Sequence, residues 1–407
     1  MTDILIRNAR IIDGTTDRPK EATDLRLADG IVQETGSGLA ARDATVIEAG
    51  DRYVMPGLID AHVHVNAWTA DLRACAAAPD AIVMVRSLGL MNAMLMRGFT
   101  TVRDLGGATG VLRQAASEAP IPTPRLNIPG KALSQTGGHC DQRGPFDEGP
   151  LAIDNAPLGA MGVIVDGVDQ VRRAARAQIK GGADFIKIMA NGGVSSPTDP
   201  IHFLQFSRDE IRAVVEEAEN AATYVAAHLY TDAAIRRAVE CGVHSLEHCN
   251  LIQSDTALMA AQAGCIACPT LVTYDKLFSE GAAMGLPEAS IRKVDSVRLA
   301  GLESLSIMAD AGLAMAYGSD LLGGMQRHQS GEFEIRGRVL PAPTVIAAAT
   351  HIAARLLRME GQIGTLEPGA FGDAILVDGN PLEDLSILGG QGDRIPVIIK
   401  AGQIVKG

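Results

Sequence analysis

Short apolar runs alternate with amphipathic stretches through the middle of the chain. The apolar runs are 58–64, Phe99–Leu105, Arg125–Gly130, Asp184–Met189, Tyr224–His228, His244–His248, Gly264–Cys268 and Leu313–Gly318. Apolar residues at helical spacing mark Val168–Lys180, Arg208–Ala221 and Asp232–Glu240 between them. Ser207, with Glu210 three residues on, forms a capping box that starts the second of these helices, and Gly242 terminates the third. Eight strands with intervening helices imply a parallel sheet, and that number suggests closure into a (β/α)8 TIM barrel over residues 56–359. A doubly wound open sheet is the alternative, but no G-x-G-x-x-G is present to support it.

The two ends of the chain read differently. Residues 1–55 carry short strands at Ile4–Ala9, Ile11-Ile12, Leu25–Ala28, Ile31-Val32 and Thr45–Glu48, with Asp13-Gly14 and Asp29-Gly30 as turn signals. The tail repeats that character at Ala374–Val377, Val397–Lys400 and Gln403–Val405. Neither end holds enough apolar surface to fold alone, so residues 1–55 and 360–407 are expected to combine into a small β-sandwich domain beside the barrel.

Composition narrows the class. The 407 residues are 47% hydrophobic and 21% charged, as in an ordinary soluble protein, but only 3% aromatic, so the core rests on Ala, Val, Ile and Leu. A net charge of −12 argues against nucleic acid and anionic membrane as partners. The six cysteines lack the spacing of a disulfide framework, and Cys265-Ile-Ala-Cys268 reads as buried strand rather than as a redox or zinc motif. The N-terminus shows no signal-peptide pattern and no apolar run reaches a membrane span, so a cytoplasmic location is expected.

Barrel active sites lie at the C-terminal ends of the strands. At those ends stand His62 and His64, Lys187, His228, His248 and Asp320. Alternate residues of a strand share a face, so the H-V-H pair aims both imidazoles at one point, as a metal site requires. Lys187, between Ile186 and Ile188, either extends its ammonium to water or, desolvated, becomes a neutral amine able to add CO₂. The resulting carbamate is a two-oxygen anion that can bridge two cations. His202, His244 and His351 fall away from these ends and are assigned no function. Arg103-Asp104 either pair structurally or line the pocket.

This order, H-x-H, Lys, His, His, Asp on strands 1, 4, 5, 6 and 8, resembles the binuclear members of the amidohydrolase superfamily. So do I-R-N-A-R-I-I-D-G, V-M-P-G-L-I-D-A-H-V-H and the tail G-T-L-E-P-G-A-F-G-D-A-I-L-V-D. The resemblance spans essentially the whole chain. It implies two divalent ions, with zinc the expected metal: one held by His62, His64 and Asp320, the other by His228 and His248, and a CO₂-derived carbamate on Lys187 bridging them. Two such ions, about 3.5–4 Å apart, lower the pKa of a bridging water. The hydroxide attacks a carbonyl carbon while Asp320 moves the proton to the leaving nitrogen.

The pattern looks most like the prolidase-like and carboxypeptidase-like amidohydrolases, a group that includes ochratoxin A-hydrolysing enzymes. The substrates then expected are dipeptides or N-acyl L-amino acids, Xaa-Pro or Xaa-hydrophobic, with ochratoxin A among them. The resemblance places His139 and Tyr230 at the scissile group or the substrate carboxylate, where both donors suit a developing oxyanion. Arg327 and His328, on the loop after Asp320, are candidate carboxylate binders. A cyclic amidase shares the ligand set and is the alternative. An imidazolonepropionase-like hydrolase shares the H-x-H but not the lysine. A metal-free scaffold that has lost catalysis is a third reading, which the six occupied ligand positions disfavour. Partners are expected to be the small-molecule substrate and further copies of the chain in a homo-oligomer.

Overall fold

The structure, a computed structural model, describes residues 3–149, 156–196, 198–284, 286 and 288–407. Its centre is a parallel (β/α)8 barrel in two hydrogen-bonded arcs. Leu58–Val63, Phe99–Asp104 and Arg125–Asn127 form the first. Ala132–Ser134, Ile186–Met189, Val225–Thr231, Ser245–Leu251, Ile266–Cys268 and Ala314–Met315 come in that order in the second, with Gly162–Ile164 added beyond Ala132–Ser134. The expected third strand, Arg125–Gly130, is therefore split. It pairs with its predecessor over Arg125–Asn127, turns at Gly130 (φ +71°), and resumes at Ala132 to meet the next strand through Leu133 and Ile188.

The last strand meets the first through a few hydrogen bonds: Ala61 N to Tyr317 O at 2.8 Å, Ser319 N to His62 O at 3.2 Å, and Asp320 N to His62 O at 2.8 Å. Gly318 sits in this seam because a Cβ there would lie 2.6 Å from Cys268 Sγ and 2.8 Å from His62 Cβ.

Strand alternation sorts the core into two layers. Leu58, Val102, Ile186, Ile188, Ala227, Leu229 and Leu246 face the surrounding helices. Ile59, Ala61, Phe185, Ala226, Ile266 and Ala316 fill the lower barrel, joined by Ala353, Leu356 and Leu357 of helix His351–Leu356 and its end. Ser207 and Glu210 make the expected capping box at the start of Arg208–Asn220.

Strands from both ends of the chain share one eight-stranded sheet. Tyr53–Pro56 pairs antiparallel with Ala374–Val377 and parallel with the end of Ile4–Ile11. One face of this sheet has its own core around Ile4, Ile6, Leu25, Leu27, Val54 and Leu376, while Met55, Ile375 and Ile398 join the core of the barrel. Among the described residues no helix is long and apolar enough to cross a membrane.

Candidate metal centre and active site

His62, His64, Lys187, His228, His248 and Asp320 all line one cavity of about 730 Å³ at the C-terminal mouth of the barrel. Asp320 Oδ1 lies 3.3 Å from His62 Nε2 and 3.1 Å from His64 Nε2, and its Oδ2 lies 3.8 Å from His248 Nδ1. The His228 and His248 rings are 4.7 Å apart, and those of His62 and His248 4.8 Å.

Two of these positions depend on unusual backbone. In Val225–Thr231 simple alternation turns Ala226, His228 and Tyr230 inward. In Ser245–Leu251 alternation would turn Glu247 in and His248 out. His248 (φ +73°) and Cys249 (φ +58°) instead adopt left-handed conformations, so Glu247 and His248 both face the interior. Asp320 is also left-handed (φ +52°). Such residues each cost about 1–3 kcal/mol and concentrate at functional sites.

One nitrogen of each imidazole is already engaged. His62 Nδ1–H donates to Glu247 at 2.8 Å, and His64 Nδ1–H to the Gly106 carbonyl at 3.4 Å. His228 Nε2–H donates to the Gly192 carbonyl at 3.3 Å, and His248 Nδ1 meets Thr270 Oγ1 at 2.8 Å. A ring anchored at one nitrogen offers the other as a ligand.

The electrostatics suit cations. Burial, with the charges of neighbouring histidines and Lys187, holds His228 and His248 well below the ordinary imidazole range, in the neutral ligand form. Burial pushes the Asp320 carboxyl up, but the surrounding imidazoles outweigh it and keep Asp320 anionic. Burial draws Lys187 down to about 8 against the pull of Glu247 and Asp320, which raises its share of neutral amine. Four imidazoles, a carboxylate and a desolvated lysine at one buried point fit a pair of divalent cations.

The sequence matches the model of the amidohydrolase family over residues 53–405. The chain belongs to that family. Ochratoxinase from Aspergillus niger is 31% identical over 369 residues, 87% of this chain and 76% of that protein. A crystal structure of a prolidase complexed with N-methylphosphonate-L-proline superposes with a TM-score of 0.97 at 44% identity, covering all of both chains. A crystal structure of a Xaa-Pro dipeptidase with methionine bound in its active site gives 0.87 at 28%, again over the full length of both.

The other candidate residues of this amidohydrolase divide. His139 and Tyr230 line the cavity. The His139 ring stacks on His228 at 4.3 Å and covers Gly193, where a Cβ would lie 1.8 Å from the imidazole. Its Nδ1 meets Ser196 Oγ at 2.8 Å, with the buried Asp199 carboxylate 3.6 Å away. Burial raises the Tyr230 phenol far above its ordinary range, so it remains a proton donor, and it accepts a hydrogen bond from Tyr274 at 3.1 Å.

Arg327 and His328 stand apart from these. Neither is among the residues lining the cavity. Both turn to Glu280, His328 Nε2 at 2.8 Å and Arg327 through Nη2. The guanidinium groups at the cavity are those of Arg73 and Arg143. Arg143 is held by Asp141, Nε to Oδ1 at 2.9 Å and Nη2 to Oδ2 at 2.7 Å.

Arg103 and Asp104 are both buried, and their roles differ. Asp104 accepts from the amides of Val65, Gly106 and Ala108 and shapes a loop. Arg103 lies inside the barrel against Glu247. His244 lies at the opposite end of the barrel, beside Arg355 and Arg358. Cys265 and Cys268 are buried free thiols, as expected of strand residues.

Proposed function

We propose that this amidohydrolase cleaves the amide bond of dipeptides or N-acyl L-amino acids, using two divalent cations, expected to be zinc, that a carbamate on Lys187 would help to hold. The observation that carries this is the convergence of six donors on one cavity, with each imidazole already engaged at one ring nitrogen. His62, His64 and Asp320 would hold one ion, and His228 and His248 the other. Bound there, the cations supply a water-derived nucleophile near neutral pH and polarise the scissile carbonyl.

The chain's own groups do the rest. Asp320 takes the proton of the attacking water and delivers it to the leaving nitrogen. The Tyr230 phenol, kept protonated by burial, is placed to donate to the developing oxyanion, and His139 flanks the same point. Leu72, Met161, Ile164, Met189 and Leu277 give the cavity apolar walls that suit a hydrophobic or prolyl side chain. Arg143 takes the carboxylate-binding part that the sequence suggested for Arg327 and His328. The likeness to an ochratoxinase and to prolidases supports both substrate forms.

The experiment is a hydrolysis screen of metal-loaded protein against Xaa-Pro and Xaa-hydrophobic dipeptides, N-acyl-phenylalanines and ochratoxin A, with a hydantoin alongside. Cleavage of a linear amide with a free carboxylate is expected. Turnover of the hydantoin alone would replace this reading with that of a cyclic amidase.

A further inference from the structure

Directly beneath His62 lies a buried assembly that the proposed chemistry does not use. Glu247 and Arg103 are each fully buried. Glu247 Oε2 accepts the Nδ1–H of His62 at 2.8 Å. Its Oε1 accepts from Arg103 Nη2 at 2.8 Å and from Ser245 Oγ at 2.5 Å. Arg103 also donates from Nε to the carbonyl of Ala61 at 2.6 Å. The guanidinium thus grips the same ligand twice, through the backbone just before His62 and through the carboxylate on its ring. Phe185, 5.0 Å below the guanidinium, supports it from the apolar floor.

We propose that Glu247, locked by Arg103, is a positioning residue of the metal centre that fixes the tautomer of His62 and holds its Nε2 toward the cavity. A neutral imidazole with its proton on Nδ1 has its lone pair on Nε2, the atom that lies 3.3 Å from Asp320. Glu247 is not itself a ligand. It clusters with His62 and Cys268 closely enough to suggest one, but both its oxygens are committed to donors within the barrel. The role assigned to Glu247 rests on the proposed function, in which His62 is a metal ligand.

The test compares wild-type protein with Glu247→Gln, which removes the charge, and Glu247→Asp, which keeps it but withdraws it from the ring. Each is stripped with a chelator and titrated with zinc against a chromophoric competitor, then loaded with cobalt for its visible spectrum. Melting of the metal-free proteins is the control for folding. The expected result is an affinity about 10–100-fold lower for one of the two ions, with an altered cobalt spectrum, in a variant whose metal-free form still melts cooperatively.

A folded variant that binds both ions as tightly as wild type, with an unchanged spectrum, overturns the proposal alone. Wild-type protein that binds no divalent ion overturns the metal reading as well. Should neither variant fold, ¹⁵N-histidine spectra of the zinc-loaded wild type decide, since an Nε2–H tautomer at His62 overturns the proposal and Nδ1–H bears it out.

Discussion

The upper and lower halves of the barrel interior are built on the same strands and have opposite characters. Tyr224 sits four residues below His228, and Ala316 four below Asp320. The upper layer gathers imidazoles, carboxylate and lysine around one cavity. The lower layer is apolar and sealed by helix His351–Leu356. Arg103 and Glu247 occupy the boundary, where a neutral ion pair lets charge end and hydrocarbon begin. The division teaches that the floor supplies stability, while the mouth accepts backbone strain and crowded titratable groups for the sake of binding.

Substitutions in the two halves should separate these contributions. Lys187→Ala should have the largest effect, loss of bound metal and of all activity, with partial rescue by short carboxylic acids. Metal analysis and rate assays with and without additive check it, and full activity without additive would remove the carbamate. Asp320→Asn should lower kcat by about 10⁴ in a protein that remains folded, as steady-state kinetics and circular dichroism would show. In the lower half, Ile266→Ala should cost about 2–5 kcal/mol of stability, read by denaturant unfolding, and leave zinc affinity unchanged. A loss of metal there would erase the distinction between the halves. Arg327→Ala should shift stability by less than about 1 kcal/mol and leave kcat/KM as it is, since its partner Glu280 lies outside the cavity.

The barrel was legible because each strand is a short apolar run at a regular interval, and the candidate ligands because each stands at the C-terminal end of its run. Tyr274 was within reach of the same reasoning, since helix Leu271–Glu280 begins just after the seventh strand ends at Cys268 and so stands at the barrel mouth. Glu247 was hidden for a physical reason. Period-two alternation allows only one of two adjacent residues inside, and no feature of S-L-E-H-C-N announces the left-handed turn at His248. The placement of Arg327 and His328 depends on an acid 47 residues before Arg327 in the chain, a pairing that local pattern does not carry. The split third strand turns on Gly130, whose φ of +71° is likewise a tertiary fact.

The seam between the last strand and the first has a consequence for how this enzyme should fail on heating. The amide of Asp320 is tied to the carbonyl of His62, so the joint that closes the ring also registers two of the proposed metal ligands against each other. Val225–Thr231 and Ser245–Leu251 are laced together along their length, whereas this junction depends on a few main-chain links and on the clasp of Asp60 with Ser319 and Gln329. A thermal fluctuation that parts the two edges would dismantle the reaction centre before the helices outside it loosen. Inactivation should therefore precede the collapse of the far-ultraviolet signal, which makes catalysis itself the most sensitive gauge of whether the circle is shut.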